Sequence, residues 1–372
     1  MAQYRMAKPE ERNEFIDLAN YAFGIDAEKL LSKVYHENDQ SYAITKVAVN
    51  EEGKLAAQVA VLPQSLYTGA KELRAKFLGI VSVHPRARGE GHMKALMTSW
   101  LEEMKGNSDI SILSGQRQRY EYFGYSSGGI KMEYTISKAN VRHALKNINS
   151  SGITFSPLFE LKDAEKLVSQ MNESRLAYVS REPLLIQNIL TSYAQTPIGI
   201  LYEDTLIGYL LMNSSGTAIS ELSVRSAEDI RKVVKAYFEK YSIDQVNITL
   251  PEYETASNEV LSTFSENYKI EASNMYNIFD FANVLEAYLT LKFNTIGLSP
   301  GVFSAIMDNQ PVTIRVDQSG VNIEREAMPE AVVLDKMEAQ RLILTPFGRY
   351  MNLSVPHDWF PLPIYWYAVD CF

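Results

Sequence analysis

A single cysteine, Cys371, stands among 372 residues. One thiol cannot close an internal disulfide, and no second ligand type lies near it at metal spacing, which excludes a disulfide staple and a zinc site. No apolar run approaches the roughly 20 residues that cross a bilayer. The opening MAQYRMAKPEERNEF carries charges where a signal peptide needs an apolar core, so a cytoplasmic protein without membrane contact is expected. An extended Lys/Arg face is also missing. The net charge of -9 and pI near 5.3 point away from nucleic acid and toward small or cationic partners. Neither GxxxxGK(S/T) nor GxGxxG occurs, which leaves a nucleoside triphosphatase loop and a dinucleotide fold without support.

What is present is ordinary globular material, 46% hydrophobic and 22% charged, in a chain long enough for two or three domains. Apolar residues at helical spacing in EERNEFIDLANYAFG predict a helix after a short strand at Tyr4 to Ala7. A strand pair about Glu52-Gly53 and a strand ending at Pro85 follow. Met93, Leu96, Met97, Trp100 and Leu101 then mark the face of a helix. ISILSG, QRQRYEYFGYSSGG and the strand KMEYTIS close a compact α/β unit near residue 132. The middle segment repeats strand pair, strand and helix in weakened form, and reads as a diverged second copy spanning 133–277. From 278 to 372 the pattern predicts the helix FANVLEAYLTL, the strand pair PVTIRVDQSGVNIERE, a helix around AVVLDKMEAQRLIL and a docked aromatic ending.

The stretch VSVHPRARGEGHMKAL, Val81 to Leu96, is a basic, glycine-punctuated turn between a strand and a helix in an acidic chain. Amides in the first turn of a helix have no internal partners and sit at the positive end of its dipole. Glycines there let a phosphate approach the main chain, and arginines add charge-assisted contacts. Arg86, Arg88, Gly89 and Gly91 are so placed, which suits a diphosphate-bearing cofactor; a plain basic helix cap is the simpler alternative. At the matching point of the second copy, RSAEDIRK has no glycine and two acids, so only the first copy could cradle a phosphate.

This turn resembles the cofactor motif of the GCN5-related N-acetyltransferases, Arg/Gln-x-x-Gly-x-Gly/Ala, in either of two registers. Arg86 to Gly91 satisfies the letters; Arg88 to Met93 satisfies the distance from Val-x-Pro and is preferred. The resemblance implies acetyl-CoA as co-substrate and no metal. It implies that the amides of Arg88, Gly89, Glu90, Gly91, His92, Met93 and Lys94 hold pyrophosphate. The backbone of Val81, Ser82 and Val83 would pair with the pantetheine arm, with Gly115 and Gln116 completing the site. In RYEYFGY, Tyr120 falls where that family has the general acid that protonates the leaving thiolate, with Tyr122 as its fallback. Packing is the competing role for any one of 22 tyrosines.

Over nearly its whole length the chain resembles the enhanced intracellular survival (Eis) acetyltransferases. That likeness implies tandem mixed α/β (α+β) sheets flanked by helices, at 1–132 and 133–277, and a sterol-carrier-protein-like α+β domain at 278–372. It also implies a homo-hexamer, and a terminal carboxylate, here on Phe372, acting as base on the acceptor amine. An α-carboxylate with a free pKa of about 3.3–3.7 is a weak base that burial would strengthen. The tail could instead only staple the domains together. A small cationic acceptor calls for acid in its pocket: Asp26, Glu37 and Asp370 are candidates, with Tyr21, Phe23 and Tyr35 as walls. A non-catalytic carrier of CoA or an apolar ligand is the alternative from another class.

Overall fold

The computed structural model describes residues 2–69 and 71–372. The N-terminal part supplies β1 (Gln3–Met6), β2 (Thr45–Val49), β3 (Leu55–Thr68), β4 (Lys71–Val83), β5 (Ile110–Leu113) and β6 (Ser126–Gly128). There follow β7 (Lys131–Ser137), β8 (Ile153–Pro157), β9 (Ala177–Val179), β10 (Thr196–Tyr202) and β11 (Thr205–Met212). Next come β12 (Ala218–Val224), β13 (Gln245–Pro251), β14 (Asn267–Glu271) and β15 (Asn274–Ile278). The third part adds β16 (Gly301–Met307), β17 (Gln310–Asp317), β18 (Gly320–Glu324) and β19 (Val332–Leu334).

These strands form three sheets with helices against them, a mixed α/β architecture. The first sheet runs β1-β2-β3-β4-β5-β15-β6, with β9 added to the end of β3. The second runs β14-β7-β13-β12-β11-β10-β8, and the third β18-β17-β16-β19. The first two share one plan. In each, a parallel pair, β4 with β5 and β12 with β13, lies between an antiparallel meander and an antiparallel strand that arrives from elsewhere in the chain. KMEYTIS, read in sequence as the close of the first unit, is β7 and pairs with β13 and β14 of the second sheet. Its Tyr134 and Ile136 enter that sheet's core. The vacancy in the first sheet is filled by β15, whose Met275 and Tyr276 point into the cores on opposite faces. Burial on both faces marks β15 as an interior strand.

Helix His92–Met104 buries Leu96, Met97, Trp100 and Met104 on one face, the spacing an amphipathic helix requires. The indole N–H of Trp100 donates to the Val59 carbonyl at 2.9 Å and fixes this helix on β3. In the third part, helix Phe281–Ile296 is capped by Asp280, whose side chain accepts from the Asn283 amide. The helix expected around AVVLDKMEAQRLIL is shorter than the pattern suggested. Val332–Leu334 is β19, parallel to β16, and the helix spans only Lys336–Leu344. The reason is local: β-branched valines favour the strand, and Asp335 with Glu338 forms a capping box that starts the helix late. Among the described residues, no helix is long and apolar enough to cross a membrane.

Candidate active site

The site begins where β4 leaves β5. Their parallel pairing is confined to Ala75–Phe77 opposite Ile110–Ile112. Three residues further on, Ile80 has φ +49°, a left-handed conformation that is unfavourable for a β-branched side chain. The β3–β4 register shifts at the same level, between Gln58 and Ala60. This bulge re-aims the rest of β4, and strain of this kind concentrates at functional sites. Val81, Ser82 and Val83 therefore enter the gap with one edge free of β5.

Beyond β4 the chain makes a short 3-10 turn at Pro85–Ala87, with the Arg86 amide donating to His84 Nδ1 at 3.3 Å. Gly89 and Gly91 follow at φ +88° and +83°, and Gly91 is the N-cap of the helix that opens at His92. Their conformation, rather than crowding, requires glycine, since an added Cβ at either would meet nothing within 4 Å. The His92 ring turns inward. Its Nδ1 pairs with the Tyr4 hydroxyl at 3.0 Å and its Nε2 with Glu90 at 3.1 Å, which braces the loop from behind.

In front of the loop lies a cleft of about 760 Å³. Every residue assigned from sequence between Val81 and Lys94 lines it except Glu90, which is engaged by His92. Arg88 is in the lining and Arg86 is not. The opposite wall holds Phe23, Arg119, Tyr122 and Phe123. Arg119 was not singled out in sequence, although the run QRQR was the signal available. Gly115 and Gln116 stand outside this lining, exposed at the end of β5, where Gln116 caps the short helix Arg117–Tyr120. Free helix-start amides, exposed cations and an unpaired strand edge around one open cleft fit an elongated ligand carrying a diphosphate.

Neither Phe372 nor Tyr120 is in the lining of this cleft, and the two belong to different apolar cores, whereas Tyr122 is in the lining. The Phe372 main chain sits on Gly79, where an added Cβ would lie 2.6 Å from a carboxylate oxygen, and the residue is only 6% exposed. The ring of Tyr120 packs on Gly115, two residues past β5. Burial raises the phenol pKa, with the neighbouring Arg119 opposing, so the hydroxyl remains protonated at neutral pH.

The acceptor candidates disperse. Phe23 lines the cleft, and Tyr21 is exposed and stacks on His84 at 5.7 Å. Tyr35 is a core residue beside Phe15, Asp26 caps a helical turn through the Lys29 amide, and Glu37 is exposed. Asp370 is buried and spends both carboxylate oxygens on Arg181, each at 2.9 Å. Arg181 continues to Glu221 at 3.0 and 2.8 Å, and Glu221 also takes Arg175 at 2.7 Å and the Tyr209 hydroxyl. Burial alone would raise the Glu221 pKa, but Arg181 and Arg175 overcome it and bring it to about 2. The network ties the tail to the second unit. Sequence reasoning also passed over Lys33, a buried amine that donates to the carbonyls of Val369 and Cys371.

Residues 3–128 match the family model described as an acetyltransferase (GNAT) domain. No curated protein matches the sequence. Among solved structures, a GCN5-related N-acetyltransferase from Anabaena variabilis is similar over 100% of both chains, with 17% identity and a TM-score of 0.70. A probable N-acyltransferase from Enterococcus faecalis aligns over 96% of this chain and 95% of its own, at 16% identity and TM-score 0.69. Eis1 from Mycobacterium abscessus aligns over the same shares at 14% identity and TM-score 0.66. At these identities the likeness speaks to the fold of the whole chain, and the family model to its first part. Residues 3–128 thus match an acetyltransferase (GNAT) domain, and the whole chain shares the fold of these solved structures.

Proposed function

We propose that the protein transfers the acetyl group of acetyl-CoA directly to a small cationic amine, with the Phe372 carboxylate as general base and Tyr120 as general acid. The observation that carries this reading is the burial of Phe372 on Gly79, at the bulge where β4 turns into the cleft. Acetyl-CoA supplies an activated thioester. The amides of Gly89 and of Gly91 to Lys94 hold its pyrophosphate, assisted by Arg88 and Arg119, and the free edge of Val81–Val83 orients the pantetheine arm. Phe372 takes a proton from the acceptor ammonium and leaves a nucleophilic amine. Tyr120 gives its proton to sulfur as the C–N bond forms and the C–S bond breaks. The remaining proton on nitrogen restores the phenol through solvent, for a net release of one proton. No covalent enzyme intermediate is needed.

Acceptor identity follows from pocket shape and extends to polyamine, aminoglycoside or lysine-like amines. The competing reading, a non-catalytic carrier using the third part as a sterol-carrier-like domain, gains no support from its packing. Helix Phe281–Ile296 sends Leu285 and Leu289 into the same core as Phe303, Met307 and Ile314 of its sheet. The test is release of free CoA from acetyl-CoA in the presence of polyamines and aminoglycosides. Amine-dependent release that Tyr120→Phe reduces about 100-fold or more is expected. Absence of amine-dependent release, or full activity in the variant, contradicts the proposal.

A further inference from the structure

Three consecutive carbonyls of the tail, those of Val369, Asp370 and Cys371, accept from just two side chains. Lys33 Nζ donates to the Val369 carbonyl at 2.5 Å and to the Cys371 carbonyl. Gln64 Nε2 donates to the Asp370 carbonyl between them at 2.6 Å, while its Oε1 accepts from the Trp366 indole at 3.1 Å. Lys33 and Gln64 belong to the unit that carries the cleft, and the tail arrives from the far end of the chain. Arg181 holds the Asp370 side chain from a second direction. What emerges from this grip is one residue, Phe372.

A buried ammonium is an expensive way to fill space. Lys33 is 8% exposed, and its surroundings include the side chains of Asp370, Cys371 and Arg181 and the ring of Tyr193 at 5.9 Å. An apolar side chain of similar length would pack there without a desolvation cost, and such replacements are often neutral or stabilising. What an apolar side chain cannot supply is a pair of donors for main-chain oxygens that would otherwise lie unpaired in the interior. Removal of those donors frees the segment on either side of Asp370 and lets the last residue shift on Gly79.

We infer that Lys33, together with Gln64, is a positioning residue that clamps the tail main chain and sets the Phe372 carboxylate at the β4 bulge. The inference rests on the reading of Phe372 as the base. Displacements near 1 Å at a reacting group cost on the order of 100-fold in rate, so the clamp acts on kcat and leaves cofactor affinity alone.

The experiment compares the full chain with Lys33→Met, Gln64→Met, a variant lacking Phe372, and Lys33→Met lacking Phe372. Two readouts are taken on each: steady-state kinetics, and the rate at which carboxypeptidase A releases phenylalanine from the chains that retain it. Expected for Lys33→Met are about tenfold faster release and about tenfold lower kcat, with the KM for acetyl-CoA within about twofold. The Lys33→Met chain lacking Phe372 should be no slower than the chain lacking Phe372 alone, because Lys33 acts only through that residue. Release and kcat both unchanged, or losses that multiply, overturn the clamp. Should Lys33→Met fail to fold by circular dichroism, Gln64→Met decides on the same readings. Should loss of Phe372 alone leave kcat intact, the base assignment is contradicted, and the phenylalanine release rate still decides the clamp.

Discussion

At the residue scale, the arrangement depends on one glycine that holds no unusual dihedral. Gly79 is required for space: a methyl group there would lie 2.6 Å from a Phe372 carboxylate oxygen and 2.8 Å from the carboxylate carbon, closer than van der Waals contact allows. Both neighbours are main chain, and the residues just before them are clamped. Gly79→Ala is therefore expected to lower kcat about tenfold or more, with the KM for acetyl-CoA within about twofold, as measured by steady-state kinetics. A rate close to the parent's would show that the Phe372 group moves freely. Local conformation was legible from sequence alone, as with the glycines after Pro85, which hold positive φ. Asp370 shows where legibility stops. Its partner Arg181 lies 189 positions away, and nothing near either residue signals that its carboxylate is consumed by an ion pair rather than free for an amine.

At the element scale, the strand–turn–helix from β4 to His92–Met104 builds the cleft loop, and its geometry turns on Gly91. A β-branched side chain at φ +83° carries strain of roughly 1–2 kcal/mol, which the loop would relieve by turning its amides out of line. Gly91→Val should raise the KM for acetyl-CoA about tenfold while kcat at saturation stays near the parent value. A kcat effect without a KM effect would place the glycine in catalysis rather than in binding. Helices and hairpins were readable because apolar period and turn residues are local properties. Strand membership was not: β7 and β15 have ordinary strand patterns, and only pairing across the molecule decides which sheet receives each. The run from Ala331 to Leu344 looked like one helix because its apolar spacing continues through Asp335, where the cap interrupts it.

At the scale of the whole molecule, exchanged strands and a buried ionic network make the parts interdependent. Glu221 accepts from Arg175, Arg181 and Tyr209, and Arg181 passes the connection to the tail. Its pKa of about 2 lies below the free value of 4.5, so the stability it supplies is present above pH 4.5 and is lost as pH falls from there toward 2. Glu221→Gln leaves buried arginines short of a counter-charge and should cost about 3–5 kcal/mol in urea unfolding at neutral pH, with a shallower loss on acidification. Equal stability would mean that the network is solvated. The measurement that reaches the centre of the account is a chain extended by one glycine after Phe372, which converts the carboxylate to an amide and leaves the cleft loop intact. Calorimetry should find acetyl-CoA bound as tightly as by the parent while amine-dependent turnover falls about 100-fold or more. Undiminished turnover by the extended chain would contradict the assignment of Phe372 as the base.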